Sequence, residues 1–183
     1  GGAGYQTTDN PDEADLIIVN TCSVREKAAQ KAYSQLGRFR ELKEKKPHLV
    51  LGVAGCLAQQ LGDKFFKMFP ALDVVVGTHK IDRLPEIVTS VSQSGGRFAE
   101  TEFCGHVRSL DIPAQPLAGK VRSFVTIMQG CNNFCTYCVV PFLRGREQNR
   151  PLADIVKEVE NLSLHGIREV TLLGQNVNSY GKT

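Results

Sequence analysis

Three cysteines stand within eight residues, Cys131-Asn132-Asn133-Phe134-Cys135-Thr136-Tyr137-Cys138. This C-x3-C-x2-C spacing lets three thiolates converge on one small object. A structural zinc site takes four ligands, usually on two paired arms. No fourth cysteine or histidine lies nearby, His106 and His165 each being more than twenty residues away. Three thiolates suit three corners of a four-iron, four-sulfur cluster, with one iron left for an exogenous ligand. A zinc site completed from afar and three inert buried thiols are the other readings of the spacing. Cys22 and Cys56 form a second set. Each follows a predicted strand and sits at or before a helix start, where the helix dipole favours a thiolate. They are 34 residues apart, yet neighbouring strands of one parallel sheet would bring their loops together. By spacing alone they are equally well two buried thiols of an α/β core. Cys104, beside Phe103 and His106, reads as a free thiol, and His48 and His79 as surface or packing residues.

The basic residues carry a weaker signal. From Arg25 to Lys46 there are eight Lys or Arg against three Glu, a net +5 on one predicted helix. A solvated helix face accounts for such a run, with contact to RNA phosphates as the alternative. Arg144, Arg146 and Arg150 directly follow the three-cysteine loop, where they would either meet a nucleic-acid backbone or fix the loop through Glu147. The whole chain has a net charge of only +3, which permits a nucleic-acid partner without demanding one.

These residues need elements to hold them. The 183 residues correspond to one or two domains at roughly 150 residues each. With 42% apolar and 22% charged residues the composition is that of an ordinary globular protein. Leu16-Ile17-Ile18-Val19 is a continuous apolar run of the kind a buried parallel strand shows. Ser23-Val24-Arg25-Glu26 matches a capping box, followed by an apolar stripe of Val24, Ala28, Ala32, Leu36, Phe39 and Leu42 that ends before Pro47. Further strands are predicted at 49–54 and 74–76, and helices near 58–68 and 82–91. Such alternation means a parallel sheet with helices on its faces. From 92 to 120 the periodicity dissolves into glycine and proline punctuation, read as an interdomain linker. A new unit covers 121–183. It has a strand at 122–128, a long cysteine-bearing loop at 129–148, and a helix with Pro151 in its first turn. That helix carries Leu152, Ile155, Val156, Val159 and Leu162, is capped by Gly166, and leads to a strand at 169–173.

With the cysteine loop after a strand and an aromatic residue before its last cysteine, the sequence resembles the radical S-adenosylmethionine enzymes. The likeness sharpens at Asn20-Thr21-Cys22-Ser23-Val24-Arg25-Glu26-Lys27-Ala28, at Gly55-Cys56-Leu57-Ala58-Gln59, at Cys138-Val139-Val140-Pro141-Phe142-Leu143-Arg144-Gly145-Arg146-Glu147 and at Leu172-Leu173-Gly174-Gln175-Asn176-Val177-Asn178. Through these strings it is similar to the methylthiotransferase family within that superfamily, from about Gly4 to Lys182.

The resemblance implies a truncated methylthiotransferase N-terminal domain at 1–91, lacking its first strand, loop and helix. After the linker, 121–183 would be the first βαβ unit of a partial TIM-type barrel. It implies a radical-cluster site at Cys131, Cys135 and Cys138, and an auxiliary four-iron, four-sulfur cluster at Cys22 and Cys56. The third ligand of the auxiliary cluster is missing from this sequence. Tyr137 matches the position that lies against the adenine of S-adenosylmethionine. Gly174, Gln175, Asn176 and Asn178 match a motif at the cofactor mouth, where they would hydrogen-bond the cofactor or the target base, with turn stabilisation as the alternative. The implied activity is methylthiolation at carbon 2 of an isopentenylated tRNA adenosine beside the anticodon. It would use two four-iron, four-sulfur clusters, S-adenosylmethionine and an electron-donor protein. The alternatives are a sister activity on a ribosomal-protein aspartate or another modified tRNA adenosine, and a non-catalytic iron–sulfur or zinc binding module. The protein is expected to be a cytoplasmic monomer without membrane contact. No charged-then-apolar leader opens the chain, and its longest apolar runs fall far short of the ~20 residues that span a bilayer. It opens without methionine and stops just after an apolar run, so it is expected to be an incomplete piece, inactive alone.

Overall fold

In the computed structural model, which describes residues 4–107, 111–114 and 119–182, the chain divides into two units, Gly1–Glu102 and Phe103–Thr183. The first unit is built on four strands, β1 (Leu16–Thr21), β2 (Val50–Gly55), β3 (Val74–Val76) and β4 (Phe98–Glu100), in the order β1-β2-β3-β4 and all parallel. Parallel neighbours need crossovers, supplied by α1 (Glu26–Lys45), α2 (Cys56–Leu61), α3 (Lys64–Met68) and α4 (Leu84–Ser94). The period of two along β2 sends Leu51 and Val53 to one face, against Ala32, Leu36, Leu57 and Phe65. Val50 and Ala54 go to the other face, with Ile87, Val88 and Val91. With both faces covered, every residue of β2 is buried, which is why the strand reads as an unbroken apolar run.

The structure departs from the sequence expectations at particular residues. The box at Ser23–Glu26 does not cap α1. Arg25 takes the N-cap position without a side-chain bond, and Val24 lies outside the helix, 66% exposed. The single helix expected near 58–68 is two, because Gly62 turns the chain at φ +47°. Phe98–Glu100, inside the stretch without periodicity, is β4. Three residues are too few to display an alternation.

The second unit holds β5 (Arg122–Thr126), β6 (Met128–Gln129), α5 (Val140–Arg144), β7 (Gln148–Asn149), α6 (Leu152–Leu164) and β8 (Glu169–Leu173). β5 and β8 are parallel and joined through α6, whereas β6 pairs with β7 in the antiparallel sense. The one strand expected over 122–128 is divided at Ile127. Its N–H donates to Leu173 O (2.9 Å) while its carbonyl accepts from Arg150 N–H (2.9 Å), so the ladder changes partner there. α6 buries Ile155 and Leu162 against Val125, Ile127 and Met128, while Leu152 (65%) and Val156 (46%) of the expected stripe stay exposed. Gly166, at φ +87°, ends α6. Its N–H reaches Ser163 O and that of Ile167 reaches Leu162 O, the paired bonds of a glycine C-cap. Among the described residues no helix is long and apolar enough to cross a membrane.

Gly55 and Gly37 make opposite predictions. Gly55 sits at φ +97°, and a Cβ there would lie 2.6 Å from Thr21 O. Gly37 is inside α1 with nothing within 4 Å. Gly55→Ala should cost at least ~1–3 kcal/mol, lowering the thermal midpoint by roughly 5 °C or more. Gly37→Ala should stabilise by about 0.5–1 kcal/mol. Calorimetry of both variants checks the contrast.

Candidate functional site

In the first unit the register pairs Thr21 with Gly55. Cys22 and Cys56 are each the next residue, so both leave the carboxyl edge of the sheet from adjacent strands. Cys56 is buried, Cys22 half-buried, and neither forms a disulfide. Side chains overlooked by the sequence reading lock this edge. Thr21 Oγ1 donates to Ala54 O (2.7 Å) and accepts from Ala58 N–H (3.4 Å), tying the end of β1 to the start of α2. Gln59 Oε1 accepts from Thr78 N–H (3.0 Å), and its Nε2 donates to Thr101 O (2.5 Å), tying α2 to the ends of β3 and β4. A Cβ on Gly77 would collide with Gln59 Oε1. Thr21 and Gln59 fall inside the strings that carried the resemblance, so position within them was the available signal. Ser23 Oγ, next to Cys22, is buried and has no hydrogen-bond partner among the described residues.

In the second unit the three-cysteine loop runs from β6 to α5. It is anchored at its base. Gly130, at φ +83°, donates its N–H to Gln175 Oε1 (2.7 Å), and a Cβ there would collide with Arg146 O. Cys131 N–H donates to Gly145 O (3.2 Å), and Asn132 Oδ1 accepts from Glu147 N–H (3.1 Å). Further along, Cys138 N–H donates to Cys135 O (2.9 Å), and Phe134 takes φ +45°, the one non-glycine positive φ among the described residues. Cys131 is buried, Cys138 half-buried and Cys135 exposed. Tyr137 is 92% exposed. Phe134 meets Phe142 edge to face at 6.0 Å, and the Arg146 guanidinium stands 5.9 Å from the Phe134 ring centre.

The turn after β8 lies against this base. Gly174 lacks a Cβ where Met128 packs, and Gln175 holds Gly130. Asn176 O accepts from Ser179 N–H (2.9 Å) and Oγ (2.8 Å), and Asn178 lies in the single turn Val177–Ser179. Ser179 Oγ also bonds the Glu147 carboxylate. Both segments leave from the carboxyl side of the parallel strands, where α/β proteins hold ligands.

The three arginines after the loop have different surroundings. Arg144 ends α5 and Arg146 covers Phe134. Arg150 is 5% exposed; its Nη2 lies 2.6 Å from Glu158 Oε2, and its Nη1 donates to Thr126 O (2.7 Å). Glu158, itself 4% exposed, also accepts from Ala114 N–H (2.8 Å). A guanidinium held in this way has no face open to a phosphate. Cys104 Sγ donates to His106 O (2.8 Å), and His79 is buried.

The donor set limits which groups these residues suit. Three soft sulfur ligands on one loop, none in a disulfide, fit an iron–sulfur cluster. Among the described residues no three His, Cys, Asp or Glu side chains already surround the position of a single ion. At the sheet edge of the first unit only two thiols are present.

Comparison with known proteins adds two matches. Residues 1–77 match the uncharacterized protein family UPF0004, and residues 125–183 match the Radical SAM superfamily. The chain is 56% identical over 179 residues to a tRNA-2-methylthio-N(6)-dimethylallyladenosine synthase of Syntrophus aciditrophicus, covering 98% of this chain and 39% of that protein. It is 52% identical over 179 residues to the protein of that name from Geobacter sulfurreducens (97% and 40%). Against the Clostridium perfringens protein it is 49% identical over 183 residues (98% and 40%). The chain thus spans about two-fifths of the length of these relatives.

The buried Arg150–Glu158 pair makes a prediction of its own. Glu158→Leu strands a buried guanidinium and should destabilise by about 3–5 kcal/mol. Arg150→Met combined with Glu158→Leu should recover most of that loss. Chemical denaturation of the two variants checks this.

Proposed function

The chain belongs to the radical S-adenosylmethionine methylthiotransferase family, and from that premise we propose that it acts in methylthiolation of tRNA. The target is carbon 2 of an isopentenylated adenosine beside the anticodon. The loop of three non-disulfide thiols fastened at Gly130 to Gln175, beyond the parallel strands, carries the radical chemistry, and the likeness to relatives named tRNA-2-methylthio-N(6)-dimethylallyladenosine synthase supports the substrate.

Cys131, Cys135 and Cys138 hold the radical cluster. Hydrogen bonds hold the base of the loop, and the exposed Cys135 and Tyr137 face incoming ligands. When bound, the group supplies reductive cleavage of S-adenosylmethionine, with electrons from a donor protein. Tyr137 presents a flat face for adenine. Gln175 acts as a positioning residue, because its side-chain oxygen is committed to the loop. Gly174, Asn176 and Asn178 line the same mouth and orient the cofactor. Cys22 and Cys56 hold the auxiliary cluster together with a third thiol that this sequence does not supply. Arg144 and Arg146 receive the tRNA backbone, and Arg150 braces the fold behind them. A base in a single-stranded loop can be splayed out and stacked upon, which suits an anticodon-loop substrate.

The test is anaerobic reconstitution of the chain with iron and sulfide, followed by metal analysis and, after reduction with dithionite, electron paramagnetic resonance. We expect a cluster signal that changes on adding S-adenosylmethionine. It should vanish in Cys135→Ala and persist in the Cys22→Ala, Cys56→Ala double variant. Zinc without iron or sulfide would instead support a binding module. Exchanging this chain for the matching segment of the Syntrophus relative, then measuring tRNA nucleosides by mass spectrometry, tests the substrate. The 2-methylthio nucleoside is expected, and its absence alongside intact cofactor cleavage would move the substrate elsewhere.

A further inference from the structure

Of the eight Lys and Arg between Arg25 and Lys46, the structure uses three internally. Arg40 pairs with Glu44, Lys43 with Asp73 and Lys46 with Asp15. Of the other five, Arg25 precedes the helix at its N-cap, and Lys27, Lys31, Arg38 and Lys45 are exposed and make no ion pair or hydrogen bond among the described residues. Their spacing of four, seven and seven residues places them within about 40° of arc on α1, in a line roughly 27 Å long. Ser34 shares the line and Glu41 stands at its edge. The row begins five residues after Cys22, at the edge of the sheet that carries both thiols of the first unit.

A helix face that serves only solvation mixes its charges so that neighbours attract. Here Lys27 and Lys31 are like charges four apart, which disfavours the helix, and Glu41, three residues after Arg38 and four before Lys45, offsets only part of the row. The exposed residues of α1 include no apolar side chain, whereas a helix lying on a lipid surface sets apolar residues beside its cations. A straight row of unpaired point charges complements a regular line of phosphates. From this geometry we propose that the outer face of α1 docks the sugar–phosphate backbone of RNA, through Lys27, Lys31, Arg38 and Lys45. The proposal rests on the tRNA reading above and adds the surface by which the first unit holds that RNA. A backbone laid along this row leads toward Cys22 and Cys56. The contact is electrostatic and independent of base sequence, so it positions the RNA and does not select it.

Salt dependence tests this directly. Each phosphate contact adds about 0.7 to 0.9 to the slope of log affinity against log salt. Binding of a tRNA transcript to the 183-residue chain is measured by fluorescence anisotropy at several salt concentrations. The Lys31→Glu, Arg38→Glu variant should bind at least ~10-fold more weakly, with the slope shallower by about 1.4 to 1.8. The matched control is Lys64→Glu with Lys67→Glu, which changes net charge equally at exposed positions of α3. It should leave the slope near that of the unaltered chain, and circular dichroism melts confirm that both variants fold. Equal flattening in both variants, or none in the α1 variant, overturns the assignment to α1 and leaves the tRNA reading standing. No tRNA binding by the unaltered chain overturns the α1 surface as well. The tRNA reading itself is then decided by the nucleoside assay.

Discussion

Parallel pairing is the constraint on which every candidate site depends. When β1 and β2 run in the same direction, with Thr21 beside Gly55, whatever follows each strand must emerge at the same edge. Two thiols 34 residues apart become neighbours for that reason alone. The same geometry in the second unit makes the cysteine loop and the turn after β8 leave from one side, where Gln175 reaches Gly130. An antiparallel arrangement would have sent one member of each set to the opposite edge. The crossovers that parallel strands require also bury both faces of the first sheet, so its carboxyl edge is presented by a packed core.

Both candidate sites have a fixed base, and the second adds an open tip. At the first, Thr21, Gly55 and Gln59 fasten strand ends to helix starts through backbone partners, and a wrong side chain at Gly55 meets backbone that cannot yield. At the second, hydrogen bonds donated by Gly130 and Cys131 N–H and accepted by Asn132 Oδ1 hold the base of the loop. The segment carrying Cys135 and Tyr137 stays exposed. The left-handed Phe134 lies between base and tip, steadied by Phe142 and Arg146. Such a conformation costs roughly 1–3 kcal/mol and persists only where its surroundings over-determine it. Fixing the base while leaving the tip open suits a site that must accept ligands from outside.

The legible part of the sequence was the part with long-range physical consequences. The apolar run at Leu16–Val19 was readable as a strand because helices cover both faces of the sheet, although at the sheet edge Leu16, Ile17 and Ile18 are only half-buried and Val19 alone of the run is buried. Gly166 announced the end of α6 because a glycine at φ +87° closes two hydrogen bonds there. The capping box at Ser23 failed because the first helical residue is Glu26, which leaves Arg25 in the cap position and Ser23 too far upstream to reach the helix N–H groups. β4 escaped notice because its three residues draw their stability from β3, which lies more than twenty residues earlier. At the sites, the three-cysteine loop stood out by its spacing, whereas Cys22 and Cys56 stood out only through the strings around them. Gln59 and Gln175 were not distinguishable by type, since a glutamine that braces a backbone and one that meets a ligand look alike until their partners are placed. Arg144, Arg146 and Arg150 pose the same problem: only burial, with Glu158 as partner, separates the last from the others.

α1 explains how one helix can carry both a core and a charged surface. Its inner stripe buries Ala32 and Leu36, with Tyr33 and Phe39 packed at the margin. Burying a large apolar side chain contributes about 1.5–3 kcal/mol, whereas a like-charge pair four residues apart costs only about 0.2–0.5 kcal/mol. The packing term therefore dominates, and the helix forms whatever charges its outer face bears. Lys43 and Lys46 are bound into the fold through Asp73 and Asp15, while Lys27, Lys31, Arg38 and Lys45 are not needed for it. A surface row that folding neither requires nor neutralises is free to be set by what the protein binds.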